Sequence, residues 1–198
     1  MSCDCEIEVQ STAQSRVLLT LLAINGGMFV LELGAGIFAE STALVADSLD
    51  MLADAAVYGI SLYAVGRADR QKLTAAFLSG VFQITLGLGV LAEVIRRFVT
   101  GSEPEPTMMI GVGLLALVAN SVCLALIAKH RNGEIHMRAS WIFSRNDVLA
   151  NLGVVIAGMA VAYVQSNVPD LLIGAIISVL VVSGGIRIIR ETAKERAG

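Results

Sequence analysis

Six apolar segments dominate this chain and limit what it can fold into. Each is about as long as the roughly 20 residues that a helix needs to cross the hydrocarbon core of a bilayer. The segments lie at 17–39, 43–66, 73–97, 107–128, 138–165 and 170–189. Charged residues make up 16% of the chain, against about 25% in soluble domains. We therefore predict an all-α, polytopic membrane protein with six transmembrane helices.

Basic residues are concentrated in alternate connections of this chain. The second and fourth connections and the C-terminal end carry Arg67, Arg70, Lys72, Lys129, Arg131, Arg138, Arg187, Arg190, Lys194 and Arg196. The first and fifth connections carry no lysine or arginine. By the positive-inside rule, both termini are expected in the cytoplasm. The membrane itself is expected to be the inner (plasma) membrane of a bacterium. The expected organisation is a cytoplasmic tail at 1–16, a six-helix transmembrane domain at 17–190 and a short cytoplasmic tail at 191–198.

The second segment contains three acidic residues that a lipid-facing helix would not tolerate. Asp47, Asp50 and Asp54 lie in "ALVADSLDMLADAA", and their spacing puts them on one narrow stripe of a helix. An aspartate at the centre of a membrane helix costs about 2.5–3.5 kcal/mol on insertion scales. Three on one stripe indicate an interior that is lined by protein, wet or occupied by a metal.

The fifth segment carries a second polar stripe, in "SWIFSRNDVLANLGVV" at 140–155. Ser144, Asp147 and Asn151 follow helical spacing there. If the two stripes face each other, Asp50, Asp54 and Asp147 converge, with Asn151 and Ser144 as neutral oxygen donors. Such a set suits a divalent cation. The alternative is a network of carboxylates with amides, or with Arg145, that only holds the helices together.

The sequence leaves more than one interpretation open for two further residues. Asp47 lies nearer the outer end of its helix, where it has either a ligand role or a polar or gating role. Arg145 lies about 200° around the helix from Asp147. It either extends to the cytoplasmic interface or pairs with an acid on a neighbouring helix, for which Glu32 and Glu93 are the candidates.

Small residues recur at helical spacing in the third and sixth segments. They are Ser79, Gly80, Gly87, Gly174 and Ser178. Such positions let helices approach closely in lipid. We favour packing within one chain over a dedicated dimer face.

Three motifs, in this order on a chain of six spans, resemble the cation diffusion facilitator family of divalent-metal exporters. They are "STALVADSLDMLAD", "LAEVIRRFVTGSEPEP" and "MRASWIFSRNDVLANLGVV". The resemblance covers about residues 17–190 and implies six spans with cytoplasmic termini. It puts Asp50 and Asp54 on the two ligand positions of the second span and Asp147 on the aspartate position of the fifth.

The chain departs from the family's pattern at one ligand. Phe143 stands where the family has the histidine of its fifth span. The fourth position is then left to water, Asn151, Ser144 or Asp47. Loss of imidazole moves the site toward harder oxygen ligation, so the preferred metal is open.

A second departure concerns the ends of the chain. The sequence finishes at "RIIRETAKERAG", without the cytoplasmic ferredoxin-like domain that typical members use to pair protomers. Dimerisation is therefore expected to rest on the membrane helices. At the other end, Cys3 and Cys5 in "CDCEIE" form a soft, acidic cluster that suits capture of Zn²⁺ or Cd²⁺. The alternative for this segment is a disordered acidic tail.

The function that these features favour is efflux of a divalent transition-metal cation. Clustered carboxylates at low dielectric retain protons when empty, and a divalent ion expels those protons on binding. One site therefore couples outward movement of Zn²⁺ or Cd²⁺ to inward movement of protons by alternating access. The expected partners are the metal ion, the lipid bilayer and a second copy of the chain, with no nucleic acid and no resident cofactor.

Two other functions compete with efflux. An intramembrane aspartyl protease would use Asp54 and Asp147 as a pair that shares a proton. A membrane metal sensor or adaptor would keep the site without transport.

Overall fold

The structure is a computed structural model of the 198-residue chain. It describes the backbone of residues 2–64, 69–128 and 135–197, and the side chains of 15–60, 62–63, 73–74, 76–128 and 144–194. These parts form six helices and no strand. The helices are α1 (Ser2–Phe38), α2 (Thr42–Ala64), α3 (Asp69–Thr100), α4 (Pro106–Ala128), α5 (Ile135–Val164) and α6 (Val168–Ala197). The predicted all-α class is confirmed, and each predicted segment corresponds to one helix.

Several helices are longer than the apolar segments that predicted them. The backbone of α1 is helical from Ser2, and α6 continues to Ala197. Apolar length reports only the part that lipid surrounds, whereas backbone hydrogen bonds extend a helix beyond the membrane wherever no residue interrupts it.

Five of the six helices are long and apolar enough to cross a membrane, and α2 is the exception within the described residues. Every 18-residue stretch of α2 contains Asp47, Asp50 and Asp54, more than the two charged residues that such a span allows. The residues that exclude α2 are the ones that the sequence assigns to the metal site. In the bundle, α2 packs against α1, α3, α5 and α6, which shields it from lipid.

The interior of the bundle is apolar around these polar positions. One buried cluster joins α2, α4, α5 and α6 and includes Leu44, Met109, Val154 and Ile177. A second joins α1, α2 and α4 through residues such as Leu21 and Ile127. On the outside, large apolar side chains are exposed on every helix, although on α2 Tyr63 near its C-terminal end is the one such residue among those the structure describes. This is the surface expected of helices whose solvent is lipid.

Helices α3 and α6 pack closely along glycines. A methyl group added at Gly185 would lie 2.7 Å from the backbone oxygen of Gly80, and one added at Gly87 would lie 2.6 Å from Val182 Cγ2 and 3.1 Å from the backbone oxygen of Ser178. The prediction that Gly80, Gly87 and Ser178 serve packing within the chain is confirmed. Gly174 plays the same part between α6 and α2, where an added methyl would lie 3.0 Å from Thr42 Cγ2.

A buried aspartate joins the start of α2 to the start of α6. Asp170, in the first turn of α6, is 0% exposed. Its carboxylate accepts hydrogen bonds from the Ser41 hydroxyl at 2.6 Å, the Thr42 N–H at 2.7 Å and the Ala43 N–H at 3.0 Å. The unpaired N–H groups of one helix are thus satisfied by a side chain from another. This contact fixes the height of α2, and of its aspartates, relative to α6.

The connections at this end of the bundle are tied together. The Glu105 N–H donates to the Ala39 carbonyl at 2.9 Å, Arg97 donates to the Glu40 carbonyl, and Asn167 donates to Ser102 at 3.1 Å. Glu105 also caps α4, and hydrogen bonds from the N–H groups of Met108 and Thr107 hold the pKa of its carboxyl below the usual value. The connections between α1 and α2, between α3 and α4, and between α5 and α6 are therefore linked at one side of the membrane bundle.

Candidate metal site

The centre of the candidate site is a pair of buried carboxyl groups from two helices. Asp54 on α2 is 4% exposed and Asp147 on α5 is 7% exposed. Their carboxyl groups lie within hydrogen-bonding reach of each other. The Tyr58 hydroxyl, one turn along α2, lies 3.4 Å from Asp54 Oδ2 and 3.1 Å from the Ser144 hydroxyl. Two acids and two hydroxyl groups thus meet where α2 crosses α5.

Asp50 is placed on the side of this pair that faces a cavity. The cavity has a volume of about 130 Å³ and lies between α2, α3, α5 and α6. Its lining residues are Asp50, Gln83, Asn146, Asp147, Leu180, Ser183, Gly184 and Arg187. The Arg187 side chain is 55% exposed and pairs with Glu191 at 2.9 Å. The cavity therefore runs from two of the predicted ligands toward the surface at Arg187.

Asp47 is held in a separate hydrogen-bond chain. Asn151 on α5 donates from Nδ2 to Asp47 Oδ2 at 2.7 Å, and its Oδ1 accepts from Asn120 Nδ2 on α4 at 2.8 Å. Both ends of the Asn151 amide are therefore engaged. Asn151 is bound to the outermost aspartate of the stripe and does not contribute a free oxygen to the Asp54–Asp147 pair.

The carboxylates do not form a ready-made cage. Within the described residues, no group of three histidine, cysteine, aspartate or glutamate side chains is arranged so that it could hold a metal ion. Carboxylates repel each other at low dielectric, and without a cation nothing draws a third acid onto the Asp54–Asp147 pair. A three-aspartate ligand set thus requires a movement of Asp50 toward that pair.

Of the two candidate partners of Arg145, Glu93 is engaged by other arginines and Glu32 is buried without a hydrogen bond. Arg145 is exposed, on the other face of α5 from the buried Asp147, as its spacing indicates. Glu93 pairs with Arg96 and Arg97, each at 2.6 Å. Both carboxylate oxygens of Glu32 are buried without a hydrogen-bond partner, so Glu32 is not bonded to Arg145.

Sequence reasoning missed some of the polar residues around the site. Tyr58 continues the stripe of Asp50 and Asp54 by one more turn, a signal that was available. Asn120 and Gln83 are isolated amides in apolar helices, and both are buried. The sequence around each amide does not indicate which residue of a neighbouring helix it contacts. The side chains of Phe143, Cys3 and Cys5 lie outside the described residues.

A family model for the cation efflux transmembrane domain matches residues 18–195. The chain belongs to the cation efflux family. The zinc transporter ZitB of Escherichia coli is 26% identical over 196 residues, which cover 91% of this chain and 62% of that protein. The cadmium, cobalt and zinc/H(+)-K(+) antiporter of Bacillus subtilis is 22% identical over 91% of this chain and 62% of its own length. The vacuolar zinc transporter ZRC1 of Saccharomyces cerevisiae is 28% identical over 63% of this chain and 31% of its own length.

This cation efflux chain thus spans a little under two thirds of the length of the bacterial relatives that it matches. Family membership and the apolar helices make it a multi-pass integral membrane protein, and the bacterial relatives support the expected location in a bacterial inner membrane. The same membership is evidence against the aspartyl protease interpretation of Asp54 and Asp147.

Proposed function

We propose that this chain exports divalent transition-metal cations in exchange for protons by alternating access. Zn²⁺ is the first candidate cargo and Cd²⁺ the second, because relatives from Escherichia coli and Bacillus subtilis carry zinc, or cadmium, cobalt and zinc, in their names. The observation that carries the proposal is the contact between the buried carboxyl groups of Asp54 and Asp147, which come from different helices.

Two carboxyl groups at this position need positive charge between them. A proton supplies it in the empty site, and a divalent cation supplies more of it and displaces the proton. Metal and proton therefore compete for the same oxygens. That competition is the chemical basis for exchange of one for the other across a membrane.

We assign Asp50, Asp54 and Asp147 as the metal ligands. For the fourth position, the hydroxyl of Ser144, beside Tyr58, or a water molecule is better supported than Asn151, whose amide is engaged at both ends. Asp47 is bound through Oδ2 to Asn151 and acts as a support for the site.

Access is proposed to change at the two ends of the bundle. In this structure the cavity beside Asp50 and Asp147 leads toward Arg187, while the opposite ends of the helices are tied through Ala39, Glu40 and Glu105. Release on the second side requires those ties to separate. The pair formed by α3 and α6 lines the cavity and is the element whose movement would open or close it.

The direct test is zinc-driven proton flux in proteoliposomes. We expect Asp54→Asn and Asp147→Asn, which keep the side-chain shape and remove the charge, each to abolish the flux. Glu103→Gln, a change at an exposed acid outside the bundle, is the matched control and should retain it. Unaltered flux in both aspartate variants would remove this pair from the mechanism. Zinc binding without flux in the parent chain would favour the sensor interpretation.

The arrangement of chains is a separate proposal. We infer that the protein forms a homodimer through its transmembrane helices. The close glycine contacts of α3 and α6 are used within one chain, so the dimer would need another lipid-facing surface. Cross-linking in membranes at a dilution series of protein to lipid tests this directly.

A further inference from the structure

One buried acidic residue has no part in the proposed site. Glu32 lies in α1 and is 0% exposed, and neither of its carboxylate oxygens has a hydrogen-bond partner. A carboxylate in a low-dielectric interior is strongly unfavourable unless something positive neutralises it. Glu32 therefore requires a proton or a cation.

The buried side-chain atoms without partners share one property. In the part of the chain that the structure describes they are all oxygens: Asn25 Oδ1, Glu32 Oε1, Glu32 Oε2, Thr42 Oγ1 and Asn120 Oδ1. They belong to α1, α2 and α4, and no nitrogen is among them. The two amide oxygens and the two carboxylate oxygens among them can only accept, so what these atoms lack is a donor or a cation.

The part of α2 that lies beside Glu32 is also acidic. Gly36, one turn after Glu32 on α1, lies against α2 at Val45. Met28, one turn before Glu32, packs in one cluster with Met51. Glu32 therefore lies beside the stretch of α2 between Val45 and Met51, which carries Asp47 and Asp50. The carboxyl groups of these two residues act electrostatically on it.

Asp47 is 1% exposed and is oriented by Asn151, which Asn120 holds from α4. Asp47 is thus connected directly to α5 and, through Asn151, to α4. The cavity beside Asp147 has a different lining, with no residue from α1 or α4.

We propose that Glu32 and Asp47 form a second binding site for a divalent cation, next to the Asp50–Asp54–Asp147 site and closer to the N-terminal end of α2. Two carboxylates match the charge of one divalent ion, and oxygen ligands of this kind suit it. The unpartnered oxygens of Glu32 are the free ligands, and Asn151 fixes the orientation of Asp47. The choice of ion rests on the proposed function. The existence of a site for a divalent cation does not depend on that function.

The experiment counts zinc ions bound per chain. The parent is the full chain with Cys3→Ser and Cys5→Ser, so that the tail cysteines do not contribute, and it is dialysed to equilibrium with Zn²⁺ in detergent. We expect two ions in the parent, one in Glu32→Gln, one in Asp54→Asn/Asp147→Asn, and none when all three changes are combined. Glu103→Gln is the control and should bind two.

The outcomes separate this site from the proposed transport site. If Glu32→Gln binds as many ions as its parent in both backgrounds, the second site is overturned. If Glu32→Gln loses an ion while Asp54→Asn/Asp147→Asn does not, the second site is supported and the proposed transport site fails.

Thermal unfolding tests whether Glu32→Gln loses an ion only because the variant is misfolded. Without metal, Glu32→Gln should melt at or above the temperature of the parent, because a neutral amide replaces an unpartnered acid. Added Zn²⁺ should then raise its melting temperature less than it raises that of the parent. Glu32→Asp keeps the charge on a shorter stem and should bind the second ion at least about tenfold more weakly. Unaltered zinc affinity in Glu32→Asp would contradict the proposal.

Discussion

Acidic residues inside a membrane bundle need groups that neutralise them or hydrogen-bond to them. The acidic residues of this chain differ in which groups they contact. Asp170 accepts three hydrogen bonds at the start of α2, and Glu93 lies between two arginines. Asp54 and Asp147 meet each other, and Glu32 meets no donor. The first two residues have structural roles, because protein groups satisfy them. The others are the residues that we propose as binders of protons or metal ions.

The replacement of the family histidine by Phe143 leads to a prediction at the scale of one residue. Phe143→His adds an imidazole one turn before Asp147, so we expect zinc and cadmium to gain affinity relative to manganese. Calorimetry with a panel of metals on purified protein measures the change. Phe143→Leu is the control for lost aromatic volume and should leave the order of metals as it is. An unchanged order in Phe143→His would mean that position 143 does not reach the ion.

At the scale of the helix, the ends and close contacts decide where the site residues sit. Helix α2 carries three of the predicted ligands and is too acidic to count as an ordinary span. It is fixed by a cap from α6, by the approach of Gly174 to Thr42, and by burial against four other helices. The depth of each aspartate thus depends on contacts made by neighbouring helices.

Loss of the cap between α6 and α2 should destabilise the bundle. Asp170→Ala leaves the Ser41 hydroxyl and two N–H groups of α2 without their acceptor, and we expect a cost of about 1.5–3 kcal/mol in the free energy of unfolding. Asp170→Asn keeps one acceptor oxygen and should lose less. Urea unfolding in mild detergent, followed by circular dichroism, measures both. Equal stability of the alanine variant and the parent would show that water replaces the cap.

The contact between α3 and α6 offers a matched pair of glycine substitutions. Gly185→Ala puts a methyl 2.7 Å from the Gly80 carbonyl, which belongs to backbone and cannot rotate away, so we expect a loss of about 1–3 kcal/mol. Gly89→Ala lies on α3 where nothing is within 4 Å, and should be neutral or stabilise by up to about 1 kcal/mol. The melting temperatures of the two variants are the measurement. The close packing would be disproved if both substitutions shifted them alike.

At the scale of the molecule, the two ends of the bundle differ. One end has its connections tied by backbone and side-chain hydrogen bonds, and the other has a cavity that reaches Asp50 and Asp147. With the orientation predicted from the basic residues, the cavity faces the cytoplasm. For the proposed export, this is the inward-facing arrangement, in which the metal ion enters the site from the cytoplasm.

Thiol labelling tests this access. In a chain free of its native cysteines, Ser183→Cys lines the cavity and should react with a charged methanethiosulfonate reagent applied from the cytoplasmic side. Ser178→Cys is the control, because Ser178 is 1% exposed and lies in the contact between α3 and α6. Saturating zinc should slow the reaction at position 183. Labelling from the opposite side alone would reverse the proposed orientation.

The sequence determined the membrane class, the six helices, the helix positions of Asp50, Asp54 and Asp147, and the family. Each of these follows from apolar length or from residues at fixed spacing on one helix, and both are local properties.

The sequence could not distinguish the roles of the three aspartates of α2, because they share one stripe of that helix. Along α2, Asp47 and Asp54 are about 10 Å apart in depth. Asp47 lies beside Asn151, Asp54 beside Asp147, and Asp50 on the cavity. Only the tertiary structure decides which neighbour each one meets, because α1, α5 and the α3–α6 pair reach different sides and depths of the same helix.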